Sequence, residues 1–203
     1  MTTPRDLLIV AIDMASSHPL EGGNLSLALA GAELIDLLGA QAIQLDGDHI
    51  VPGYRPAIAD RLLDEAASSL AQQAPYESVD DWLWRRGRGL SAAYLADLEA
   101  EGQLTREGRP RWMPFRTSQM VLVDSPARRE AEERWTSDEP VLAALGAAVG
   151  IRDKQAEDSP SPADDAVVTV LAAVDDALKD LEFERHRRAI DKAAFDNIWR
   201  GCE

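Results

Sequence analysis

The sequence predicts a mainly α fold with two short β-hairpins and one continuous core, and three observations carry that reading. Residues 25–38 read LSLALAGAELIDLL, which puts Leu25, Leu27, Leu29, Leu34, Ile35, Leu37 and Leu38 around nearly the whole circumference of a helix. A helix that is apolar on all sides belongs inside a protein. Residues 141–149 (VLAALGAAV) repeat the pattern, so the two segments are expected to share a core. Asp46-Gly47 and Glu107-Gly108 supply the turn chemistry of two hairpins.

The 203 residues are read as one domain, 1–203, since length sets only a soft prior between one core and two. A hydrophobic fraction of 45% and a charged fraction of 28% are ordinary for a globular chain. Cys202 is the single cysteine, so no internal disulfide and no CxxC metal knuckle can form, which points to a reducing compartment. No signal-peptide pattern opens the chain, and residues 140–151, the longest nearly apolar stretch, fall short of the ~20 residues a bilayer requires. The expectation is a cytoplasmic protein, at most peripheral on the cytoplasmic face of a membrane.

In chain order, residues 7–12 form an apolar run that periodicity cannot assign to strand or helix, and 14–23 read as a polar loop. Asn24 is placed to cap the helix 25–38, Gly31 to admit a close neighbour and Gly39 to end it. Ile43 and Leu45, then Ile50 and Val51, flank the first hairpin turn. After Pro56, the spacing of Ile58, Leu62, Ala66 and Leu70 predicts an amphipathic helix over 56–71. Ser78 with Asp81 resembles a capping box, Trp82 and Leu83 anchor the helix it opens, and Gly87 breaks it. A helix then runs from Leu90 through Tyr94, Leu95 and Leu98 to Gly102. Leu104 opens a strand whose return is placed at 111–116, where Pro114 confines it to a sheet edge.

Ser125-Pro126 opens a helix ending near Trp135, and Ser137 with Pro140 opens the apolar helix 141–149. Residues 152–165, with Pro160, Pro162 and five acids, read as a mobile acidic loop. Val167, Leu171, Val174 and Leu178 restart a helix, and Phe183, Ile190 and Ile198 are expected to continue its stripe.

Net charge is −15, which opposes nonspecific binding to nucleic acid or to an anionic membrane unless the cations are gathered. They are gathered between Arg85 and Arg116, where seven Arg (85, 86, 88, 106, 109, 111, 116) meet four acids and leave +3. No catalytic residues, metal or cofactor are expected. His18, His49 and His186 stand apart from any other ligand type at metal spacing, and no nucleophile elbow, Walker loop or dinucleotide fingerprint is present.

Two features stand above this background. Arg85, Arg86 and Arg88 precede the start of the Leu90 helix, where backbone N–H groups also receive anions, so they form the candidate ligand-binding set. In Arg111-Trp112-Met113-Pro114-Phe115-Arg116, Trp112, Met113 and Phe115 stand between cations Arg111 and Arg116, as where a surface meets a bilayer or a second subunit. A strand packed on its own core accounts for the same residues.

The succession of LSLALAGAELIDLL, the first hairpin, VDDWLWRRGRGLSAAYLADLEAEGQLT (residues 79–105) and a basic hairpin resembles the Golgi phosphoprotein 3 family. The Arg- and Ala-rich composition looks like a bacterial, actinobacterial-type member. The resemblance implies a central helical bundle wrapped by amphipathic helices and a non-enzymatic peripheral membrane protein. It also implies binding of phosphatidylinositol 4-phosphate. Of the family's lipid-binding positions, one Arg matches Arg88. The others fall on Ala30 and Ser91, and the family's Trp is replaced by the stretch Glu21-Gly22-Gly23-Asn24.

The expected partners are therefore an anionic, phosphoinositide-like headgroup and a membrane surface, with homo-oligomerisation through the 103–116 hairpin as a further option. Two other readings stand beside this one. The Leu90 helix with a following strand and basic hairpin looks like the end of a winged-helix DNA-binding domain, although Asp97, Glu99 and Glu101 would repel phosphates, so no nucleic acid is expected. A lipid-independent scaffold using Trp112 as its interface is the third.

Overall fold

The computed structural model describes residues 2–15, 21–54, 56–107, 119–152 and 164–200, except for the side chains of Arg106, Glu107, Gln119 and residues 193–200. Two largely apolar helices lie at its centre. α1 (Thr3–Met14) buries the run Leu7 to Ala11 on every side, which resolves the 7–12 run as helix. α2 (Gly22–Gly39) contacts α1 and most of the helices that follow, and Leu27, Leu29, Leu34 and Leu37 are fully enclosed. It begins ahead of the expected cap: Glu21 holds the N-cap position and Asn24 lies inside the first turn.

β1 (Ile43–Asp46) and β2 (His49–Pro52) form the first hairpin, with Asp46 paired to His49 across a two-residue turn that starts at Gly47, φ +62°. Glycine is the residue that enters this region without steric cost. Helix α3 (Arg61–Ser68) is shorter than the 56–71 expected, because Asp60 is extended and its Oδ1 accepts the Leu63 N–H at 2.9 Å, a cap that starts the helix there. α4 (Val79–Arg86) starts as its capping box predicts, with Ser78 Oγ accepting the Asp81 N–H at 3.1 Å. α5 (Leu90–Ala100) follows after three residues, and Gly102 beyond it has φ +71°.

The second hairpin differs from expectation. β3 (Leu104–Glu107) pairs with β4 (Gln119–Leu122), Leu104 opposite Leu122 and Glu107 opposite Gln119. The return strand is thus 119–122 and not 111–116. Buried Leu104 and Leu122 anchor this register, and Arg111, Trp112, Met113, Phe115 and Arg116 lie outside the described residues.

α6 (Pro126–Thr136) is capped by Ser125, as predicted. The cap of α7 (Pro140–Ala148) is Glu139, whose carboxylate accepts the N–H groups of Val141 and Leu142, while Ser137 ends α6. α7 buries Leu142, Ala143, Leu145 and Gly146 against α1, α2, α6 and α8. The expected acidic loop falls largely at 153–163, outside the described residues.

α8 (Asp165–Arg200) is one helix that packs Val167, Val170, Val174, Ala177 and Leu178 on α2, α4 and α7. The predicted stripe does not continue into Phe183 and Ile190, and the Ile198 side chain lies outside those described. Phe183 and Ile190 are 67% and 55% exposed, because the helix has run past the edge of the core that its first half covers.

Gly31 sets how closely α8 approaches α2, since a β-carbon there would lie 2.3 Å from Val174 Cγ2. Gly31→Ala is expected to cost ~1–3 kcal/mol by overpacking, despite the better helix propensity of alanine. Val174→Ala in the same chain should return part of that loss. Urea unfolding of both variants checks it, and a stabilised Gly31→Ala would mean that α8 does not seat on Gly31.

Candidate functional site

The three arginines of the predicted ligand set have different surroundings. Arg86 reaches inward to Glu33, which is 0% exposed, with Nε and Nη2 donating to its two carboxylate oxygens at 2.8 and 2.9 Å. It also donates to Glu65 at 2.8 Å and to the Leu62 carbonyl at 3.0 Å. Against the desolvation that burial imposes, these contacts hold Arg86 above the ordinary guanidinium value. Tyr94 O–H completes the cluster by donating to Glu33 at 3.0 Å, and burial together with the Glu33 charge pushes its phenol far up, so it remains a donor. Arg86 is thus a structural cation.

Arg85 is bidentate to Glu77, at 2.6 and 2.7 Å, and lies over the Trp82 ring at 4.9 Å. Its carboxylate partner occupies the fork that a phosphate would use. Arg88 differs from both. It is exposed, no described acid pairs with it, and it lines a cavity of about 330 Å³. Such a volume lies at the lower end of the range for small-molecule sites.

Two helix starts and a helix end build this cavity. α4 stops at Gly87, Arg88 follows, and Gly89 at φ +72° turns the chain into α5, a conformation that favours glycine. Gly22 and Gly23 at the start of α2 form the facing wall, with Trp84 and Leu181 of α8 closing the apolar side. The floor is a serine pair: Ser26 Oγ lies 2.9 Å from Ser91 Oγ and accepts the Ser91 N–H at 3.1 Å, and Ser91 Oγ donates to the Gly22 carbonyl at 3.1 Å. No side chain caps α2. The first N–H groups of a helix lack intrahelical partners and carry its positive end. The α2 wall of the cavity therefore presents backbone N–H groups that no side chain caps.

The sign of charge separates this cavity from its neighbours. A larger one, about 620 Å³, is lined by Asp6, Asp36, Glu130 and Glu133 beside Arg134. Burial raises the carboxyl groups of Asp6 and Asp36, opposed by Arg134 for the first and by the Thr3 N–H for the second. An anion is repelled there. A third, by Trp135, has its Arg128 bound to Asp13 at 2.8 Å.

Of the residues that line this cavity, the sequence singled out Arg88 and noted Gly22 and Gly23 only as a departure from the family's Trp, but did not point to Trp84, Ser26 or Leu181. Trp84 carried a usable signal: with Trp82 and Leu83 fully buried, a residue two positions on from Trp82 points away from that face and toward a surface. Ser91 was seen only as a departure from an arginine pattern, whereas it ties the α2 and α5 starts together. On α5 itself, Asp97 is bound by Arg5 and Arg61, and Glu101 by Arg5 at 2.6 Å. His49 lies 2.7 Å from Asp48, and His186 is exposed. Among the described residues no helix is long and apolar enough to cross a membrane.

Comparison with known proteins adds two findings. A family model described as Golgi phosphoprotein 3 (GPP34) matches residues 4–194. Over 64 residues the chain is 38% identical to a protein of Arabidopsis thaliana named "Putative gamma-glutamylcyclotransferase". That match covers 30% of this chain and 34% of the plant protein, so the chain spans about a third of the relative's length.

Proposed function

The chain belongs to the Golgi phosphoprotein 3 family, and on that premise we propose that it is a non-enzymatic, peripheral membrane protein. In this reading it receives the phosphorylated headgroup of an anionic, phosphoinositide-like lipid in the cavity at Arg88. The observation that carries the reading is the contrast among three neighbouring arginines. Arg85 and Arg86 are held by Glu77, Glu33 and Glu65, while Arg88 stands free of described acids in the cavity wall. A phosphate there would accept from the Arg88 guanidinium and from the N–H groups at the uncapped start of α2. Trp84 supplies an apolar side for the lipid's glycerol end.

The second hairpin is the proposed membrane contact. Met120, next to the connection end of β4, is 41% exposed, and Trp112, Met113 and Phe115 between Arg111 and Arg116 lie in sequence between β3 and β4. Docking on a second copy through the same residues is the competing outcome.

Flotation with phosphatidylcholine vesicles, with and without phosphatidylinositol 4-phosphate, tests the reading. The wild-type chain is expected to float only with the charged vesicles. Arg88→Glu is expected to reduce that binding by about tenfold or more, since a charge-assisted hydrogen bond contributes ~1.5–3 kcal/mol. Binding that is absent in the wild type, or untouched in Arg88→Glu, sinks the headgroup assignment.

A further inference from the structure

We propose that α8 supplies the second cation of the headgroup site, Arg185, and that Glu21 is an internal anion that occupies Arg185 until a phosphate group displaces it. The inference rests on reading the Arg88 cavity as an anion site.

Three observations place Arg185. Leu181 forms part of the cavity wall, and Arg185 is one helical turn further along the same face of α8. Its Nη1 donates to the Glu21 carboxylate at the N-cap position of α2 and to Asn24 Oδ1 at 2.6 Å, inside the first turn. Its Nη2 lies 2.6 Å from where a β-carbon on Gly23 would sit, so the absence of a side chain at Gly23 lets the guanidinium rest against the start of α2. Gly23 is itself a lining residue. One glycine thus belongs to the cavity on one side and seats Arg185 on the other.

An arginine paired with an exposed carboxylate holds it weakly, because water screens the pair. Glu21 is 62% exposed in its side chain and Arg185 36%. A phosphate monoester carries more charge than a carboxylate and matches the guanidinium fork with more acceptor oxygens, so it competes well for the same donor. Displacing Glu21 would leave Arg185 beside the α2 start, still donating from Nη1 to Asn24, with its other N–H groups available to the anion that Arg88 receives from α4. Binding would then tie α8 to the α2 and α5 starts through one ligand.

The test is a double-mutant cycle on the full chain, read by flotation on phosphatidylinositol 4-phosphate vesicles and by calorimetry with inorganic phosphate. Glu21→Gln is expected to bind vesicles several-fold more tightly, and Arg185→Gln about tenfold more weakly, with Arg185→Lys in between. The gain from Glu21→Gln should vanish in the Arg185→Gln background, because the competitor then has nothing to release. A general loss of negative charge would persist in that background and would overturn the proposal. Loss of inorganic phosphate binding alongside vesicle binding places the contact on the phosphate itself, and loss on vesicles alone places it on the lipid headgroup; both support the role of Arg185. If Arg88→Glu abolishes binding while Arg185→Gln leaves it intact at an unchanged thermal midpoint, the cavity assignment stands and the Arg185 proposal falls. If neither variant changes binding, both fall.

Discussion

Replacing Arg86 with alanine is expected to lower the unfolding free energy by ~3–5 kcal/mol, the cost of leaving a buried charge without its partner. That is a large share of the ~5–15 kcal/mol by which a domain is stable. The cause is Glu33, which is fully enclosed in α2 and accepts both arms of the Arg86 fork as well as the Tyr94 hydroxyl. Burial already pushes the Glu33 carboxyl up, and the hydrogen bonds from Arg86 oppose it. Without Arg86 that opposition is lost. A carboxyl whose folded value is raised contributes stability that is fully present below its unfolded value, ~4.3, and is lost as pH rises through the folded value. The Arg86→Ala deficit should therefore be largest at neutral pH and shrink on acidification toward about pH 5. Urea unfolding at the two pH values checks the sign, and a deficit that grows on acidification would exclude this mechanism. Combining Arg86→Met with Glu33→Leu and Tyr94→Phe removes the charges and the hydroxyl together, and should recover most of the loss.

Trp82→Ala is expected to cost a similar ~3–5 kcal/mol, typical of deleting an enclosed aromatic ring. Trp82 is 0% exposed, its indole N–H donates to the Ala30 carbonyl at 3.3 Å, and Arg85 lies over its outer face. The carbonyl also belongs to the α2 helix, so losing the indole bond alone is cheap. Trp82→Phe should accordingly cost much less than Trp82→Ala. If the two variants unfold at the same urea concentration, the hydrogen bond and not the ring volume carries the effect. Because Trp82 joins α4 to α2 just before the Gly87-Arg88-Gly89 turn, a destabilised Trp82→Ala that still folds should also bind headgroup vesicles more weakly.

The helices were legible where apolar spacing or a cap is a local property. The 25–38 and 141–149 segments are apolar all round, and burial follows from that wherever they are placed. Ser78, Ser125 and Gly102 act within a single turn, so their roles could be read from neighbours alone. The misplaced boundaries share a different cause. Asp60 starts α3 late while its other oxygen is bound by Arg5, 55 residues away. The return strand of the second hairpin is set by Leu122 meeting Leu104 in the core, which no turn dipeptide announces.

The same division runs through the candidate site. Composition and pattern alone determined a mainly helical, acidic chain with its cations gathered near Arg88, and the succession of its segments resembled the Golgi phosphoprotein 3 family. Only the tertiary structure decided which cations are free. Arg85, Arg86 and Arg88 are chemically identical in sequence, and what separates them is whether Glu77, Glu33 or Glu65 is brought within hydrogen-bond reach. Arg185 comes to the start of α2 from more than 160 residues away. Coulomb and hydrogen-bond energies depend on separation in space, and residues that lie far apart along a chain acquire that separation only when the core that holds them has formed.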